Sequence, residues 1–175
     1  MNSFHKVDPH LGACAGHRLS HFQESCLATM KPAEIRPIAI CVLRDDDTIF
    51  VAECYDPSTG EVFYRPLGGA IEFGEQGGEC IIREVREEMG AEIKDLTYVG
   101  TIENIFTFDG KPGHEIVLVY EASFADPHLY EVESVGCRDD DGAFMALWKP
   151  IEEFRAGKVI LYPEGLLDFL HKGTA

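Results

Sequence analysis

The sequence predicts one mixed α/β domain, and three observations lead to that prediction. The chain has 175 residues, of which 45% are apolar, enough for one ordinary hydrophobic core. Short β-rich segments bounded by turn residues recur along it. Between them, residues 79–89 follow the 3.6-residue apolar period of an amphipathic helix.

The first 30 residues show neither a helical nor a strand period and hold four of the seven histidines. We therefore predict a flexible N-terminal extension over residues 1–30 and a folded domain over residues 31–175. The extension lacks the apolar segment of a signal peptide and the Arg-rich, acid-free character of a transit peptide. Met30 directly precedes the first strand-like region, which raises a translation start there as an alternative.

The elements of the domain follow from local patterns. Residues 38–43 and 48–54 are β-rich and are joined across three aspartates at 45–47, which predicts a hairpin with an acidic turn. The helix at 79–89 is predicted to end at Gly90, since glycine favours the left-handed position after a helix. The other predicted elements are strands at 62–65, 70–73, 96–108, 115–124 and 143–148 and closing helices at 151–154 and 163–170.

The charge and cysteine content exclude several classes of protein. There are 31 Asp and Glu against 15 Lys and Arg, a net charge of −16, so stable nucleic-acid binding through a basic patch is not expected. The longest apolar run, residues 38–43, is too short to cross a bilayer, so no membrane association is expected. The six cysteines form no C-x-x-C pair and predict free thiols in a reducing, cytoplasmic compartment.

The predicted helix carries an unusual group of carboxylates. Glu84, Glu87 and Glu88 fan over about 100° of its surface beside the apolar stripe. They repel one another, and two of them lie in the last turn, where the helix dipole favours cations. Either the face is simply solvated, or it holds a divalent cation such as Mg²⁺, which prefers oxygen ligands. Arg83 either orients one of these carboxylates or forms an ordinary surface pair.

The segment from Gly69 to Ala91 resembles the Nudix box, G-x5-E-x7-R-E-U-x-E-E-x-G-U, where U is aliphatic. Every fixed position is filled, by Gly69, Glu75, Arg83, Glu84, Glu87, Glu88 and Gly90, with Val85 and Ala91 at the aliphatic positions. With background frequencies of roughly 0.07, a chance match of seven identities is on the order of 10⁻⁸ per starting position. The sequence departs from many relatives at Gln76-Gly77-Gly78, where two glycines cost about 1 kcal/mol each if helical.

The resemblance implies a Nudix-like α/β/α sandwich with a mixed sheet between helices. It also implies a pyrophosphohydrolase that cuts a phosphoanhydride bond in a nucleoside diphosphate linked to X, such as a nucleotide sugar, a dinucleotide or a nucleoside triphosphate. The implied cofactor is Mg²⁺ or Mn²⁺, with Glu84, Glu87 and Glu88 as ligands. Gly69 is a further candidate at the metal, Arg83 belongs to the catalytic set, and Glu84 is a candidate general base.

Relatives differ in the position of the water-activating carboxylate, and some supply it from beyond the box. Glu115, at the entry to an apolar strand, is our candidate for this role and for a further metal ligand, with Glu121 as the alternative and Glu72 as an extra ligand. A strand-end acid is more often merely solvated.

Three residues are candidates for substrate binding: Arg36 and Arg65 for phosphate, and Phe106 for stacking on a base. Tyr98 and Phe108 are alternatives to Phe106, and a core position is the more common role for aromatic residues on strands. The proline that suggests ADP-ribose in this family is absent at 106–108, so the sequence leaves X and the nucleobase open. A homodimer also stays open.

Three alternatives accompany the hydrolase hypothesis. The first is a non-catalytic, nucleotide-sensing Nudix module, which the intact box disfavours. The second is an isopentenyl diphosphate isomerase-like enzyme, for which Cys80, one turn before Glu84, would have to serve the site. The third concerns the extension only: its His and Cys residues could bind zinc, although their spacing matches no common finger. Those residues are His10, Cys14, His17, His21 and Cys26.

Overall fold

The computed structural model describes residues 34–139 and 142–170. Its strands are β1 Arg36–Asp45, β2 Thr48–Asp56, β3 Glu61–Arg65, β4 Leu67–Ala70, β5 Ile93–Phe108, β6 Lys111–Phe124, β7 Ser134–Arg138, β8 Ala143–Pro150 and β9 Ile160–Leu161. The helices are α1 Gly77–Met89 and α2 Ile151–Arg155, with 3₁₀ helices at Pro127–Tyr130 and Leu166–Asp168. The predictions made for residues 1–30, including the zinc ligands and the start at Met30, lie outside the described residues.

The strands form one mixed sheet, which confirms the predicted fold class. The main strand order is β5-β6-β1-β2-β3-β9, with β4 paired to β1, β8 to β2 and β7 to β8. The β1–β6 and β3–β9 pairs are parallel and the others are antiparallel. The predicted acidic hairpin joins β1 to β2, and Asp46 in its turn has a positive φ of 46°.

Each face of the sheet carries its own hydrophobic core, because successive side chains of a strand point to opposite faces. On β1, Ile38, Ile40 and Val42 belong to one core together with residues of α2 and the C-terminal segment. The alternate residues Ala39, Cys41 and Leu43 belong to a second core, with residues of α1. Helices therefore cover both faces, as the sandwich architecture requires.

Helix α1 begins two residues earlier than the prediction, since it includes both Gly77 and Gly78. A β-carbon on Gly77 would lie 2.8 Å from Leu118 and Tyr120 of β6, so glycine allows the helix to start directly against the sheet. The Glu79 carboxylate accepts a hydrogen bond from the Gln76 backbone N–H at 3.0 Å, which supports this start. At the other end Gly90 adopts the predicted left-handed conformation.

Several predicted boundaries were wrong. The strand expected at 70–73 is instead β4 at Leu67–Ala70, because the glycine pair itself runs against β1. The closing helix expected at 163–170 is only a 3₁₀ turn, preceded by Gly165 with a φ of 85°. Strands β7 and β9 were missed, since β7 contains a glycine and little β-rich sequence, and β9 has only two residues.

Two further observations concern the described part of the chain. None of its helices is long and apolar enough to cross a membrane. The four cysteines in this part, Cys41, Cys54, Cys80 and Cys137, are free thiols.

Adjacent isoleucines on α1 provide a matched test of the packing. Ile81 is fully buried against the sheet, whereas Ile82 is 39% exposed. We expect Ile81→Ala to lower the free energy of unfolding by about 2–5 kcal/mol, because it removes buried methyl groups and leaves a cavity. Ile82→Ala should cost about 1 kcal/mol or less, and urea unfolding followed by circular dichroism measures both. Equal losses would contradict the described orientation of α1.

Candidate active site

The glycine pair of β4 brings the backbone into contact with the α1 carboxylates. A β-carbon at Gly69 would overlap the carboxylate of Glu84, so only glycine leaves this carboxylate its place. The carbonyls of Gly69 and Ala70 accept weak hydrogen bonds from the Cys80 thiol, at 3.7 and 3.5 Å. The glycine pair therefore allows the edge of β4 to lie directly beside Glu84, the first box glutamate on α1.

Arg83 connects the carboxylates of the site. It donates to both oxygens of Glu75, at 2.8 and 3.0 Å, to Glu84 Oε1 at 2.8 Å and to Glu87 Oε2 at 3.2 Å. It also donates to the carbonyl of Ala70 at 3.2 Å. The paired guanidinium lowers the pKa of Glu75 to about 2, with help from the backbone N–H of Glu72. Arg83 thus contacts three carboxylates and the backbone of β4 at the same time.

Glu88 has a different environment. Burial and the neighbouring charge of Glu84 raise its pKa to about 7, partly opposed by the nearby Arg65 and the Gly68 backbone N–H. Its Oε2 atom is buried and has no hydrogen-bond partner among the described residues. A buried carboxylate oxygen without a partner is costly, and such exceptions often mark a place where an ion or water belongs.

The three box glutamates therefore differ in their surroundings. The side chain of Glu84 is 17% exposed, that of Glu87 is 62% exposed, and that of Glu88 is half-buried, with its Oε2 atom out of contact with solvent. Within residues 34–139 and 142–170, no group of three His, Cys, Asp or Glu side chains converges closely enough to enclose a metal ion. The reason is local: Arg83 holds Glu87 and one oxygen of Glu84.

These residues nevertheless suit a hard divalent cation. The unpartnered oxygen of Glu88, the adjacent carboxylate of Glu84 and the backbone at the side-chain-free Gly69 are all oxygen donors on one side of α1. Mg²⁺ and Mn²⁺ prefer such donors, and Mg²⁺ needs only one or two protein carboxylates when substrate phosphates complete its shell.

One face of β3 carries a cationic side chain near Glu88 and, next to it, an aromatic side chain. Arg65 is two residues from Phe63 on this strand, so both side chains project from the same face, about 7 Å apart. The ring of Phe63 packs edge-on against Phe108 and Tyr162, with centroids 6.2 and 5.3 Å away. Phe63 and Tyr162 were not identified from the sequence, because this cluster joins three distant segments and no local pattern marks it.

Two predicted residues lie elsewhere on the sheet. Glu115 is buried and forms a close ion pair with Arg36, while its second oxygen accepts a 3.3 Å hydrogen bond from Asn104. By alternation along β6 it shares the face of Val117 and Val119, opposite the face on which α1 packs. The structure does not bring Glu115 together with the box glutamates, and its role as a metal ligand stays a prediction.

The remaining candidates have local partners. Phe106 pairs with Gly113 across the β5–β6 hairpin, and its ring occupies the space that a side chain at position 113 would fill. The exposed Tyr98 packs edge-on against Tyr120 and hydrogen-bonds Thr101 at 2.6 Å. Glu72 and Glu121 are both exposed.

Comparison with known proteins agrees with this geometry. A family model described as the NUDIX domain matches residues 34–167, well over half of the chain. The chain belongs to the Nudix family.

Curated relatives of this Nudix chain include proteins named NAD-capped RNA hydrolase NudC. The protein from Pseudomonas aeruginosa is 28% identical over 99 residues, covering 57% of this chain and 33% of the relative. The protein from Pseudomonas putida is 34% identical over 91 residues, covering 52% and 30%. The chain thus spans about a third of the length of these relatives.

Solved structures show the same fold. A NUDIX hydrolase from Nitrosomonas europaea superposes with a TM-score of 0.57 at 19% identity, covering 79% of this chain and 88% of that one. A MutT NUDIX hydrolase from Burkholderia pseudomallei gives a TM-score of 0.51 at 20% identity, covering 68% and 85%. The Nudix-like sandwich predicted from the box is confirmed.

The contact between Gly69 and Glu84 gives a direct test. We expect Gly69→Ala to displace the Glu84 carboxylate and to lower metal-dependent turnover about 10- to 100-fold, because small misplacements of reacting groups have effects of that size. Melting of the variant should change little, since a side chain rather than the backbone has to move.

Gly157→Ala is the matched control. Gly157 has open space around it but a φ of 64°, so its replacement should reduce stability by about 1 kcal/mol and leave turnover unchanged. Turnover of Gly69→Ala at the wild-type rate would contradict the assignment of Glu84 to the site.

Proposed function

We propose that this chain is a metal-dependent pyrophosphohydrolase that cleaves a phosphoanhydride bond in a nucleoside diphosphate linked to X. The observation that carries the proposal is the buried, unpartnered oxygen of Glu88 beside Glu84, on a helix whose carboxylates Arg83 holds in place. On a chain with a net charge of −16, a cation between the carboxylates and a diphosphate would offset their mutual repulsion.

The residues that would hold Mg²⁺ or Mn²⁺ are Glu84, Glu87 and Glu88, with the backbone of Gly69. When bound, the ion neutralises the adjacent phosphate charges, polarises the phosphoryl oxygen and provides an activated water. Glu87 would leave its 3.2 Å contact with Arg83 to join this set, which its exposed position allows.

The protein groups around the ligands fix their geometry. Arg83 holds Glu84 Oε1, so this carboxylate keeps one orientation and its second oxygen is available to accept a proton from water. Glu75 in turn fixes Arg83 through two parallel hydrogen bonds, and its pKa of about 2 keeps that pair charged at any ordinary pH. Glu84 as general base stays a proposal within this scheme.

Arg65 is placed to contact substrate phosphate, since it lies near Glu88 and its guanidinium is held by a long, 3.4 Å hydrogen bond to the Gly68 carbonyl. The exposed ring edge of Phe108 beside Phe63 offers an apolar surface for a base on the same side of the box. Arg36 and Phe106 stay candidates for substrate contact farther along the sheet.

The rival functions find less support. The isomerase alternative requires an available thiol, but Cys80 is fully buried and donates to backbone carbonyls, and burial with the charge of Glu75 raises its pKa to about 12. A sensing module would have no reason to keep Glu88 buried without a partner, because that arrangement costs stability.

Replacement of Glu88 tests the metal assignment. We expect Glu88→Gln to lower metal-dependent turnover at least about 100-fold, more than the loss typical of a residue that only orients a metal ligand. The isosteric amide should leave melting unchanged or slightly raised, since an uncompensated buried charge is removed. Glu152→Gln, at an exposed position on α2, is the control and should behave like the wild type.

A substrate screen decides the identity of X. The panel should include ADP-ribose, NADH, nucleotide sugars, dinucleoside polyphosphates and nucleoside triphosphates, each with and without Mg²⁺ or Mn²⁺, with products identified by mass spectrometry. The relatives named NAD-capped RNA hydrolases motivate the dinucleotides. We expect metal-dependent release of a nucleoside monophosphate. Absence of turnover together with calorimetric absence of metal uptake would refute the proposal.

A further inference from the structure

Strand β5 forms an outer edge of the sheet. Among the described residues it pairs with β6 alone, so its other side is open. The strand spans 16 residues, and after an irregularity near Tyr98 its pairing with β6 runs without a break from Gly100 to Phe108. An open edge of this kind presents unpaired backbone N–H and C=O groups that another strand can bind.

The turn at the tip of the β5–β6 hairpin determines which of these groups face outward. Asp109 and Gly110 have φ values of 50° and 69°, as in a two-residue type I′ turn, whose flanking residues Phe108 and Lys111 are hydrogen-bonded. Bonded and non-bonded pairs alternate from there along the ladder. The residues that direct N–H and C=O away from β6 are therefore Thr101, Glu103, Ile105 and Thr107. Pro112, opposite Thr107, agrees with this, since it has no N–H to donate.

This edge lacks most of the features that usually prevent strands from pairing, namely lysines, prolines and an excess of charge. Residues 100–108 include one charged residue, Glu103, whereas 26% of the whole chain is charged. The carboxylate of Glu103 lies 3.1 Å from His114 of β6. Ile105 is 73% exposed on the same face. The edge is therefore open, nearly uncharged and partly apolar.

The edge is also complementary to itself. An antiparallel copy centred on Asn104 sets Thr101 opposite Thr107 of the copy, and Glu103 opposite its Ile105. Every outward-facing residue then meets an outward-facing residue, and each of the four pairs exchanges two hydrogen bonds. The two Glu103 carboxylates are not opposite each other, and cross-strand threonine pairs are favourable.

We propose that the chain forms a symmetric dimer in which residues 101–107 of β5 pair antiparallel with the same residues of a second copy. A second copy suits this edge better than an unrelated strand, because the register leaves none of its outward N–H and C=O groups unpaired and opposes no like charges. Each copy carries a net charge of −16, so the protomers repel and salt that screens this repulsion should tighten the dimer. A basic partner strand would show the opposite salt dependence. The inference does not depend on the proposed hydrolase function.

The association of the full chain tests the proposal directly. We expect analytical ultracentrifugation over about 1–200 µM, a range that brackets a micromolar Kd, to show a species of twice the 19.5 kDa chain mass. Its Kd should fall when NaCl is raised from about 0.05 to 0.5 M. In hydrogen exchange followed by NMR, the outward amides of Glu103 and Ile105 should exchange more slowly as the protein concentration rises. The amides of Ile102 and Asn104, which already bond to β6, should change little.

Variants of the edge test the register. Ile105→Glu sets a second carboxylate opposite Glu103 of the partner and should raise the dimer Kd at least about tenfold. Adding Glu103→Lys to this variant should restore most of the affinity, because opposite charges then face each other. Val62→Glu, at a 48% exposed position on β3, is the matched control and should dimerise like the wild type.

Circular dichroism melting establishes that each variant is folded. A wild-type chain that stays monomeric throughout the concentration range overturns the proposal, as does a dimer that weakens as salt rises. Wild-type affinity in folded Ile105→Glu, an equal loss in Val62→Glu, or no recovery in the double variant also overturns it.

Discussion

The pairing of Arg83 with Glu75 is the constraint on which the site depends. A single guanidinium, held by two parallel hydrogen bonds to Glu75, reaches Glu84, Glu87 and the carbonyl of Ala70. Because a planar guanidinium presents its donors in a fixed fork, the position of one carboxylate determines the positions of the others. Arg83 thereby joins the loop after β4 to the middle of α1. Its positive charge offsets the repulsion between Glu84 and Glu87. A lysine, with one flexible ammonium group, would not make these contacts in parallel.

In the same arrangement, Glu88 is the carboxylate whose charged form is destabilised by burial. Arg83 neutralises Glu75 and shares charge with two other carboxylates, but its hydrogen bonds among the described residues do not reach Glu88, whose pKa is lowered instead by the charge of Arg65 on β3. Burial raises the pKa of Glu88 to about 7, so the isolated protein keeps this group at a position where its charged form is disfavoured. Stability alone does not select such a position. A ligand that supplies positive charge offsets this cost when it binds, so binding and folding stability are linked at this residue.

The sequence predicted what depends on local patterns and failed where distant segments meet. The end of α1 at Gly90 followed from the sequence, because glycine favours the left-handed position after a helix. The start of α1 was misjudged, since the close packing of Gly77 against β6 outweighs the helix propensity of glycine. The parallel β1–β6 register sets Glu115 opposite Arg36, and its role as a metal ligand stays a prediction. No local sequence pattern predicts this register, because β1 and β6 lie far apart in the sequence.

The sheet itself explains why the site has two unequal sides. One edge of strand β2 pairs first with β1 and then, farther along, with β3. The opposite edge of β2 pairs with β8. The side toward β3 carries the cation of Arg65 and the ring of Phe63. The side toward β7 and β8 carries a groove with a mixed lining of charged and apolar residues, among them Arg86, Arg138 and Phe144. Helix α1 crosses between them and presents Glu88 where the two sides meet. The two sides therefore differ in the chemistry of their side chains, although the same strand β2 supports both.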